Sequence, residues 1–308
     1  MLRKIAIIGA NGFVGRHLVE AVCHQGTEVV GVVRSHSGAA VVRSQGGNPL
    51  LLADLDRGAM EALVPALVNS DALVYTASVS ATGRVADRTD PAGLANVLAA
   101  CREAGVPKIV FFSGLGVAHY GMNRHCTNPY FLAKLAGEVT LFRSDLAITA
   151  FRPSYIVGAG DEFLTSLIAR IAADSFIEIP GDGQYRLQPV SIRDTVRAVL
   201  SAIDRSLTWP SVVDLVGPEI LSYRALIERI AATMGRPIRI HERAVEEAVA
   251  LAQATGYFGL RAHDLDCLLC DEVSDSSAVE VLVGGRLESL SSMIETTISA
   301  LRPAKPEA

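Results

Sequence analysis

A glycine-rich turn between a strand and a helix constrains the fold of this chain more than any other feature. The segment GANGFVG places glycines at positions 9, 12 and 15. The apolar, β-branched run KIAII precedes it, and GRHLVEAVCHQG follows with the periodicity of an amphipathic helix. Glycines at these points permit a tight turn, a close approach of the backbone to a ligand, and close packing of the helix on the strand. The pattern predicts a strand–turn–helix unit whose backbone N–H groups face an anion.

The anion expected in such a unit is the pyrophosphate of a dinucleotide cofactor. The spacing G-x-x-G-x-x-G differs from the G-x-G-x-x-G of ordinary dinucleotide dehydrogenases, and a tight turn that has lost its ligand remains the alternative reading. We assign cofactor binding to the loop and the first helical residues, namely Gly9, Asn11, Gly12, Phe13, Val14 and Gly15.

The end of the second predicted strand indicates which dinucleotide is bound. An acidic residue at this point would hold the ribose 2′-hydroxyl of NAD, whereas an arginine accommodates the 2′-phosphate of NADP. The strand ends in GVVRSHS, which has no acid but does have Arg34. A guanidinium can bind a phosphate through two hydrogen bonds, so NADP(H) is favoured over NAD(H). The alternative is that Arg34 is a solvated loop residue.

The first 150 residues alternate apolar strand-like runs with helical segments. The strands are apolar throughout, as expected when helices cover both faces of a sheet. The sequence therefore predicts an α/β fold with a Rossmann-type, doubly wound parallel sheet and a smaller C-terminal α/β lobe. We expect the dinucleotide-binding core to span residues 1–155. Residues 156–308 would form a substrate-side lobe that packs on the core and is not an independent domain.

Several short motifs occur in an order that resembles a known superfamily. The glycine loop is followed by LLADL, VYTAS, FFSG, a Tyr-x-x-x-Lys pair and FRPSYIVG. This order is similar to that of the short-chain dehydrogenase/reductase superfamily in its extended or atypical branch, from residue 4 to about 235. YFLAKLAGE, RLQPVSIRDTV and VVDLVGPEILSYRALI most resemble the NAD(P)H-binding accessory subunit of respiratory complex I and related proteins labelled nucleoside-diphosphate-sugar epimerases. The sequence departs from the branch at Asp90 and Pro91, where an asparagine is common, and at Gly114, where many epimerases have serine or threonine.

The resemblance implies a role for each matching position. Tyr130 would be the acid–base residue, and Lys134 would hold the nicotinamide ribose and lower the tyrosine pKa. Ser113 would hydrogen-bond to the substrate oxygen. The remaining residues would contact other parts of the cofactor. Asp54 and Leu55 would border the adenine, and Thr76, Ala77 and Ser78 would line the wall beside the ribose and pyrophosphate. Pro153 and Ser154 would lie beside the nicotinamide.

The chemistry of tyrosine and lysine supports the same site independently of the resemblance. Free tyrosine has a pKa near ~10, which is too high for proton transfer at neutral pH. A nearby ammonium stabilises the phenolate, and the spacing puts Lys134 one helical turn from Tyr130. A serine at the carboxyl end of a central strand faces the crevice where such sheets bind ligands. The alternative is that Tyr130 and Lys134 bind ribose without turnover.

Two further groups of residues have both a functional and a structural interpretation. Arg186 and Gln188 lie where nucleotide-sugar enzymes of the branch bind the phosphates or sugar of the substrate, although an exposed arginine on a surface strand explains Arg186 equally well. Cys267 and Cys270 form a C-x-x-C pair, but no second pair completes a four-ligand zinc site. We therefore expect no metal, and we interpret these cysteines as small buried hydrophobic residues.

Composition and charge restrict which classes of binding partner and which cellular compartment we expect. The formal net charge of −5 argues against non-specific nucleic-acid binding. No apolar stretch reaches the ~18 residues of a membrane helix, so we expect no integral membrane segment. Five cysteines in 308 residues do not make a disulfide framework, which favours a reduced, cytoplasmic protein. We expect a small-molecule substrate as partner, and both a homo-oligomer and association with a membrane complex stay open.

Three functions remain open from the sequence. The first and favoured one is an NAD(P)H-dependent oxidoreductase that transfers hydride between nicotinamide and a small carbonyl or alcohol, with Tyr130 as acid–base. The second is a nucleotide-sugar epimerase or reductase in which the cofactor stays bound. The third is a non-catalytic NAD(P)H-binding accessory subunit or redox sensor. Retention of Ser113, Tyr130 and Lys134 favours an enzyme.

Overall fold

The computed structural model describes residues 2–55, 57–77, 91–122, 124–204, 210–257 and 262–301. Within these ranges the chain forms two compact units, each built from separate stretches of sequence. The first unit comprises the described residues of Met1–Val117, Pro129–Arg152 and Thr195–Val213. The second comprises those of Ala118–Asn128, Pro153–Asp194 and Asp214–Ala308.

The described residues contain thirteen strands. Their bounds, in chain order, are β1 Lys4–Ile8, β2 Glu28–Val33, β3 Asn48–Leu51, β4 Ala72–Tyr75, β5 Lys108–Phe112, β6 Ala147–Pro153, β7 Ile156–Val157, β8 Phe176–Pro180, β9 Arg186–Leu187, β10 Val190–Ser191, β11 Val212–Leu215, β12 Leu221–Ser222 and β13 Arg239–Arg243.

Twelve α-helices lie in the same described ranges, and none of them is long and apolar enough to cross a membrane. They are α1 Phe13–His24, α2 His36–Ser44, α3 Met60–Leu67, α4 Pro91–Ala104, α5 Pro129–Phe142, α6 Glu162–Ala173, α7 Ile192–Ala202, α8 Tyr223–Thr233, α9 Val245–Ala254, α10 Ala262–Leu268, α11 Ser277–Val283 and α12 Leu290–Leu301.

A seven-stranded sheet dominates the described part of the chain, in the order β11-β6-β5-β4-β1-β2-β3. The pairings along β3-β2-β1-β4-β5-β6 are all parallel. The strand order reverses direction at β1, since β2 lies on one side of it and β4 on the other. In such sheets ligands bind at the carboxyl ends of the strands beside this reversal. The predicted Rossmann-type, doubly wound sheet is confirmed.

The core of the first unit explains the continuous apolar strands of the sequence. Leu73 of β4 and Ile109 and Phe111 of β5 are fully buried, and they pack with Leu63 of α3 and Val97 of α4. Helix side chains therefore cover sheet residues that an alternating strand would expose to water.

The second unit has its own core and smaller sheets. Strand β8 pairs in parallel with β13, β7 pairs in parallel with β10, and β9 pairs antiparallel with β12. The buried residues of this core include Leu167 of α6, Ile177 of β8, Leu226 of α8 and Ile294 of α12. The predicted division of the chain at residue 155 stays a prediction.

Some elements differ from the sequence-based expectation. Helix α2 and strand β8 were not predicted, because HSGAAVVRS contains poor helix formers and FIEIP is short. Asp194 lies inside the first turn of α7, and its N–H donates to Ser191 Oγ at 3.0 Å. The Asp194 carboxylate accepts a hydrogen bond from the backbone N–H of Glu288 at 2.7 Å.

Candidate active site

The glycine loop joins β1 to α1, and two of its glycines have no room for a side chain. Gly9 has a φ of +81°, and a Cβ there would lie 2.8 Å from the backbone nitrogen of Ala77. A Cβ on Gly15 would lie 2.2 Å from the carbonyl oxygen of Gly9, so α1 packs directly on the loop. Gly12 is exposed at the N-cap of α1, where no side chain hydrogen-bonds to the helix start. The start of α1 is therefore open to an anion, and the loop fits a pyrophosphate.

The other predicted loop residues surround this helix start. A Cβ on Gly38 would lie 3.0 Å from Cγ of Asn11, so the exposed Asn11 side chain lies against the start of α2. The guanidinium of Arg16 lies 5.4 Å from the centre of the Phe13 ring. Val14 is half-buried. Asn11 and Phe13 thus border the loop from two sides.

Arg34 directly follows the last residue of β2 and is exposed. The next residue, Ser35, caps α2 by accepting a hydrogen bond from the N–H of Gly38 at 3.1 Å. This cap fixes the turn in which Arg34 stands at the carboxyl end of β2. The position is the one where an NADP-binding arginine is expected.

The residues predicted to border the adenine are stabilised by a residue that the sequence did not single out. Asp54 Oδ1 accepts a hydrogen bond from the N–H of Leu55 at 2.7 Å. Asn96 of α4 donates from Nδ2 to the carbonyl oxygen of Leu55 at 2.9 Å. An interior asparagine on a helix gives no local signal of such a contact, because its partner lies 41 residues away.

Thr76 lies next to the glycine loop just beyond β4. Its Oγ1 is 2.8 Å from the carbonyl oxygen of Ile8 and 3.2 Å from that of Gly9. Together with Ala77, which contacts Gly9 through its backbone, this hydroxyl holds the loop against the end of β4. Ser78 lies outside the described residues, so the structure gives no account of this prediction.

Lys134 is buried at the carboxyl end of β5, and it lies close to Tyr130. Its Nζ donates to the carbonyl oxygen of Phe112 at 2.8 Å. The same ammonium lies 5.6 Å from the centre of the Tyr130 ring and 5.5 Å from that of Phe111. Burial lowers the pKa of Lys134 from 10.5 to about 8. The helical pair predicted from the sequence is thus aimed at the end of a central strand.

Ser113 follows Phe112 at this strand end. Its N–H donates to the carbonyl oxygen of Phe151 at 2.7 Å, which continues the pairing of β5 with β6. Its Oγ is buried and has no hydrogen-bond partner among the described residues. A buried hydroxyl without a partner is destabilising, and a ligand oxygen would satisfy it. A Cβ on the next residue, Gly114, would lie 3.5 Å from the ring of Tyr130, so Tyr130 and this strand end are neighbours.

An ion pair one turn farther along α5 was not predicted. Glu138 is buried one turn after Lys134, and Arg152 of β6 donates to its two carboxylate oxygens at 2.8 Å and 2.6 Å. Two parallel hydrogen bonds fix both the distance and the rotation of the helix relative to the strand. This pair therefore contributes to the position of Tyr130 and Lys134.

Pro153 and Ser154, the two residues predicted to lie beside the nicotinamide, belong to the second unit. Ser154 is buried, and its Oγ donates to the carbonyl oxygen of Glu272 at 3.0 Å and accepts from the N–H of Gln188 at 3.3 Å. The Ser154 hydroxyl is therefore used within its own unit. Pro153 is half-buried at the end of β6.

Arg186 and Gln188, the predicted substrate-binding residues, are also hydrogen-bonded inside the second unit. The Arg186 guanidinium donates to Asp271 Oδ2 through Nε at 2.9 Å and lies 2.8 Å from it through Nη2. Gln188 donates from Nε2 to the carbonyl of Gly217 at 2.8 Å, and its Oε1 accepts from the N–H of Ser274 at 2.9 Å.

Three cysteines and a glutamate lie together in the second unit. The thiols of Cys126 and Cys270 hydrogen-bond, and burial raises the pKa of both and of Cys267. Burial also raises the pKa of Glu272 to about 8. Cys126 is 144 residues from Cys270 in the chain, so its place here was not evident from the C-x-x-C spacing. Within the described residues, no group of three or more His, Cys, Asp or Glu could hold a metal ion.

Comparison with known proteins places the chain in a family. Residues 5–213 match the family described as "NAD dependent epimerase/dehydratase family". A dTDP-4-dehydro-6-deoxy-D-allose reductase of Streptomyces sp. is 27% identical over 276 residues, which cover 77% of this chain and 83% of that protein. A 2-alkyl-3-oxoalkanoate reductase of Stenotrophomonas maltophilia is 25% identical over 257 residues, which cover 76% of each protein.

Solved structures share the fold at lower identity. An NADPH-dependent quinone oxidoreductase of Escherichia coli, complexed with NADPH, matches with a TM-score of 0.73 and 20% identity over 94% of this chain and 98% of that one. The enzyme WbmG of Bordetella bronchiseptica, in complex with NAD and UDP, matches with a TM-score of 0.74 and 16% identity. This match covers 97% of this chain and 95% of that one. The resemblance to the extended branch of the short-chain dehydrogenase/reductase superfamily is confirmed. The chain belongs to the NAD dependent epimerase/dehydratase family and is an NAD(P)-dependent enzyme of the oxidoreductase type.

Proposed function

We propose that this protein interconverts a small carbonyl compound and its alcohol, with NADP(H) as cofactor and Tyr130 as the general acid–base. The observation that carries the proposal is the position of Lys134. Its buried ammonium contacts the carbonyl directly before Ser113 and lies 5.6 Å from the centre of the Tyr130 ring. A proton donor, a buried cation, and a hydroxyl with no hydrogen-bond partner among the described residues thus lie near one strand end.

When bound, the nicotinamide cofactor supplies or accepts the hydride. In the direction of reduction, Tyr130 donates the proton that the carbonyl oxygen of the substrate requires. The Ser113 hydroxyl donates a hydrogen bond to the same oxygen and thereby orients it. Lys134 stabilises the phenolate that remains, since opposite charges at short range favour the ionised form of tyrosine. In the direction of oxidation, the phenolate accepts the proton.

The proposed cofactor contacts are those predicted from the sequence. Gly9, Gly12 and Gly15 would place the pyrophosphate at the start of α1, which is open to an anion. Asp54 and Leu55 would border the adenine, while Thr76 and Ala77 would line the wall beside the glycine loop. Preference for NADP(H) is supported by Arg34 at the end of β2, where no acidic side chain follows the strand.

The proposal is tested with NADPH and a panel of ketones, quinones and 3-oxo esters, following NADPH oxidation by its absorbance. Once a substrate is found, Tyr130→Phe removes only the hydroxyl and retains the ring. We expect NADPH affinity near the wild-type value and turnover lower by about 10²–10⁴-fold, the usual contribution of general acid–base catalysis. Phe142→Tyr, at an exposed position of the same helix, is the control and should turn over normally.

If Tyr130→Phe turns over the substrate at the wild-type rate, Tyr130 is not the general acid–base. Tight NADPH binding with no oxidation by any panel member would instead support the non-catalytic cofactor-binding function. Conversion of a nucleotide sugar without net oxidation of cofactor would support an epimerase.

A further inference from the structure

Phe131, the residue directly after Tyr130, packs on a glycine of the turn that leaves β5. The segment Ser-Gly-Leu-Gly occupies positions 113–116 of this turn. A Cβ on Gly116 would lie 2.2, 2.5 and 2.6 Å from three atoms of the Phe131 ring. The φ of Gly116 is not positive, so its backbone conformation is open to other residues. Glycine is therefore required at this position for space alone.

The Phe131 ring is completely enclosed and contacts Tyr130 as well as the turn. It is 0% exposed and is among the largest fully buried side chains of the described residues. A Cβ on Gly114 would lie 3.4 Å from it, so the ring also lies beside the first glycine of the turn. The Tyr130 ring meets it edge-on, with 5.3 Å between the ring centres and 63° between the ring planes. Phe131 thus links the turn after Ser113 to the proposed acid–base residue.

Tyr130 requires a tertiary contact of this kind because of its place in α5. The helix begins at Pro129, so Tyr130 is its second residue. The first N–H groups of a helix have no partner within the helix, and helix ends fray. The bond from Lys134 to the carbonyl of Phe112 fixes α5 one turn farther along. The first turn must therefore be held by other contacts, and the buried Phe131 ring provides one.

The same contact determines how the start of α5 is rotated. Successive residues of an α-helix point about 100° apart, so a fixed direction for Phe131 also fixes the direction of Tyr130. A Cβ on Gly114 would lie 3.5 Å from Cε1 of the Tyr130 ring, which places this ring next to Ser113. Because protein interiors are densely packed, a displaced Phe131 would displace Tyr130 with it.

We propose that Phe131, packed on Gly116, is a positioning residue that holds the Tyr130 hydroxyl where it can reach the same substrate oxygen as Ser113. The inference rests on the proposed acid–base role of Tyr130. Residues 113–116 and the first turn of α5 all belong to the first unit, so the contact needs no residue of the second.

The first experiment measures the surroundings of Tyr130 without any substrate. The seven tyrosines are labelled as 3-fluorotyrosine, and the fluorine NMR signal of Tyr130 is identified by its loss in Tyr130→Phe. Gly116→Ala places a methyl group against the Phe131 ring, which must then move. We expect the Tyr130 signal to shift more than that of any other tyrosine.

A matched control overpacks another part of the first unit. A Cβ on Gly47 would lie 2.9 Å from Val42 and 3.0 Å from Val19, so Gly47→Ala also forces neighbouring side chains to move. Its Tyr130 signal should remain at the wild-type position. A general loss of packing would shift the signal in both variants, whereas loss of the proposed contact shifts it only in Gly116→Ala.

The second experiment measures turnover of the carbonyl substrate identified with the panel. Gly116→Ala should lower kcat by about 10- to 100-fold, since a misplacement of about 1 Å at a reacting group can cost about 100-fold. NADPH affinity should be unchanged. Phe131→Leu removes the ring and leaves Gly116 intact, and it should lower kcat and shift the Tyr130 signal even if Gly116→Ala does not fold. Leu63→Ala, in the buried core at α3, should lower the melting temperature and retain the wild-type kcat.

A double variant isolates the contact between the ring and the glycine. In the Phe131→Leu protein, the methyl group of Gly116→Ala has no ring to displace. Adding Gly116→Ala to Phe131→Leu should therefore change kcat and the Tyr130 signal little, whereas the effects of independent substitutions would multiply.

The inference is overturned if folded Gly116→Ala or Phe131→Leu keeps the wild-type Tyr130 signal, or if their two kcat losses multiply in the double variant. Absence of turnover with every carbonyl counts against the proposed function, while the fluorine spectra still decide whether Phe131 positions Tyr130.

Discussion

Lys134 has a charge that its surroundings disfavour. It is 1% exposed, it contacts two aromatic rings, and one backbone carbonyl accepts from it. A residue selected only for stability at this position would be apolar, because a buried ammonium is destabilising unless fully compensated. Retention of the lysine is the behaviour expected of a functional residue whose pKa is shifted.

The pKa of Lys134 leads to a prediction for stability against pH. The folded-state pKa of about 8 lies below the ordinary value of 10.5, so the unfolded chain binds more protons between these values. The unfolding free energy of the wild type should therefore rise with pH across this window, by up to about 3 kcal/mol. Lys134→Met lacks this contribution, and denaturant titrations of both proteins from pH 7 to 10.5 measure the difference. If the difference in unfolding free energy between the two proteins stays constant from pH 7 to 10.5, the surroundings of Lys134 do not disfavour its charged form.

Arg34 gives a prediction for cofactor choice. Arg34→Ala should weaken NADPH binding by about 10- to 100-fold, since a charge-assisted contact contributes about 1.5–3 kcal/mol, and it should leave NADH binding nearly unchanged. Isothermal titration of both cofactors measures the two losses. Arg43→Ala, at an exposed residue near the far end of α2, should weaken neither cofactor. Equal losses for NADPH and NADH, or a wild type that prefers NADH, would contradict the assignment.

The glycine loop and α1 act as one element in which each glycine has a different task. Gly9 turns the chain in a left-handed conformation, and Gly15 lets the helix contact the loop backbone. Gly12 has an ordinary φ of −69°, and the nearest atom to its absent Cβ is 3.3 Å away. The structural requirement therefore lies with Gly9 and Gly15, while Gly12 leaves the cofactor face clear.

This division predicts that two substitutions in the same loop separate stability from binding. Gly15→Ala places a methyl group 2.2 Å from a backbone oxygen, so α1 must move and the protein should lose about 1–3 kcal/mol of stability. Gly12→Val should lose only about 1 kcal/mol at the N-cap but abolish NADPH binding, because its side chain occupies the approach to the backbone. Thermal unfolding and NADPH fluorescence titration measure the two effects. A folded Gly12→Val protein with normal NADPH affinity would show that the glycine loop does not bind the cofactor pyrophosphate.

At the scale of the whole molecule, the two units are each assembled from three separate stretches of chain. The parallel sheet and the glycine loop could be predicted because they are encoded by local features: apolar runs of strand length, helical periodicity, and glycines at a fixed spacing. The Tyr-x-x-x-Lys pair was visible for the same reason, since two residues four apart on a helix must share a face.

The contacts that give these residues their chemistry were decided only by the tertiary structure. Lys134 donates to the carbonyl of Phe112, 22 residues away in the sequence, and Asn96 donates to that of Leu55, 41 residues away. Arg186 hydrogen-bonds to Asp271, which is 85 residues away. Hydrogen-bond partners and burial depend on which distant segments pack together, and no local pattern specifies that choice. The sequence by itself therefore determined the fold and the cofactor family, whereas the low lysine pKa and the Arg186–Asp271 ion pair followed from long-range packing.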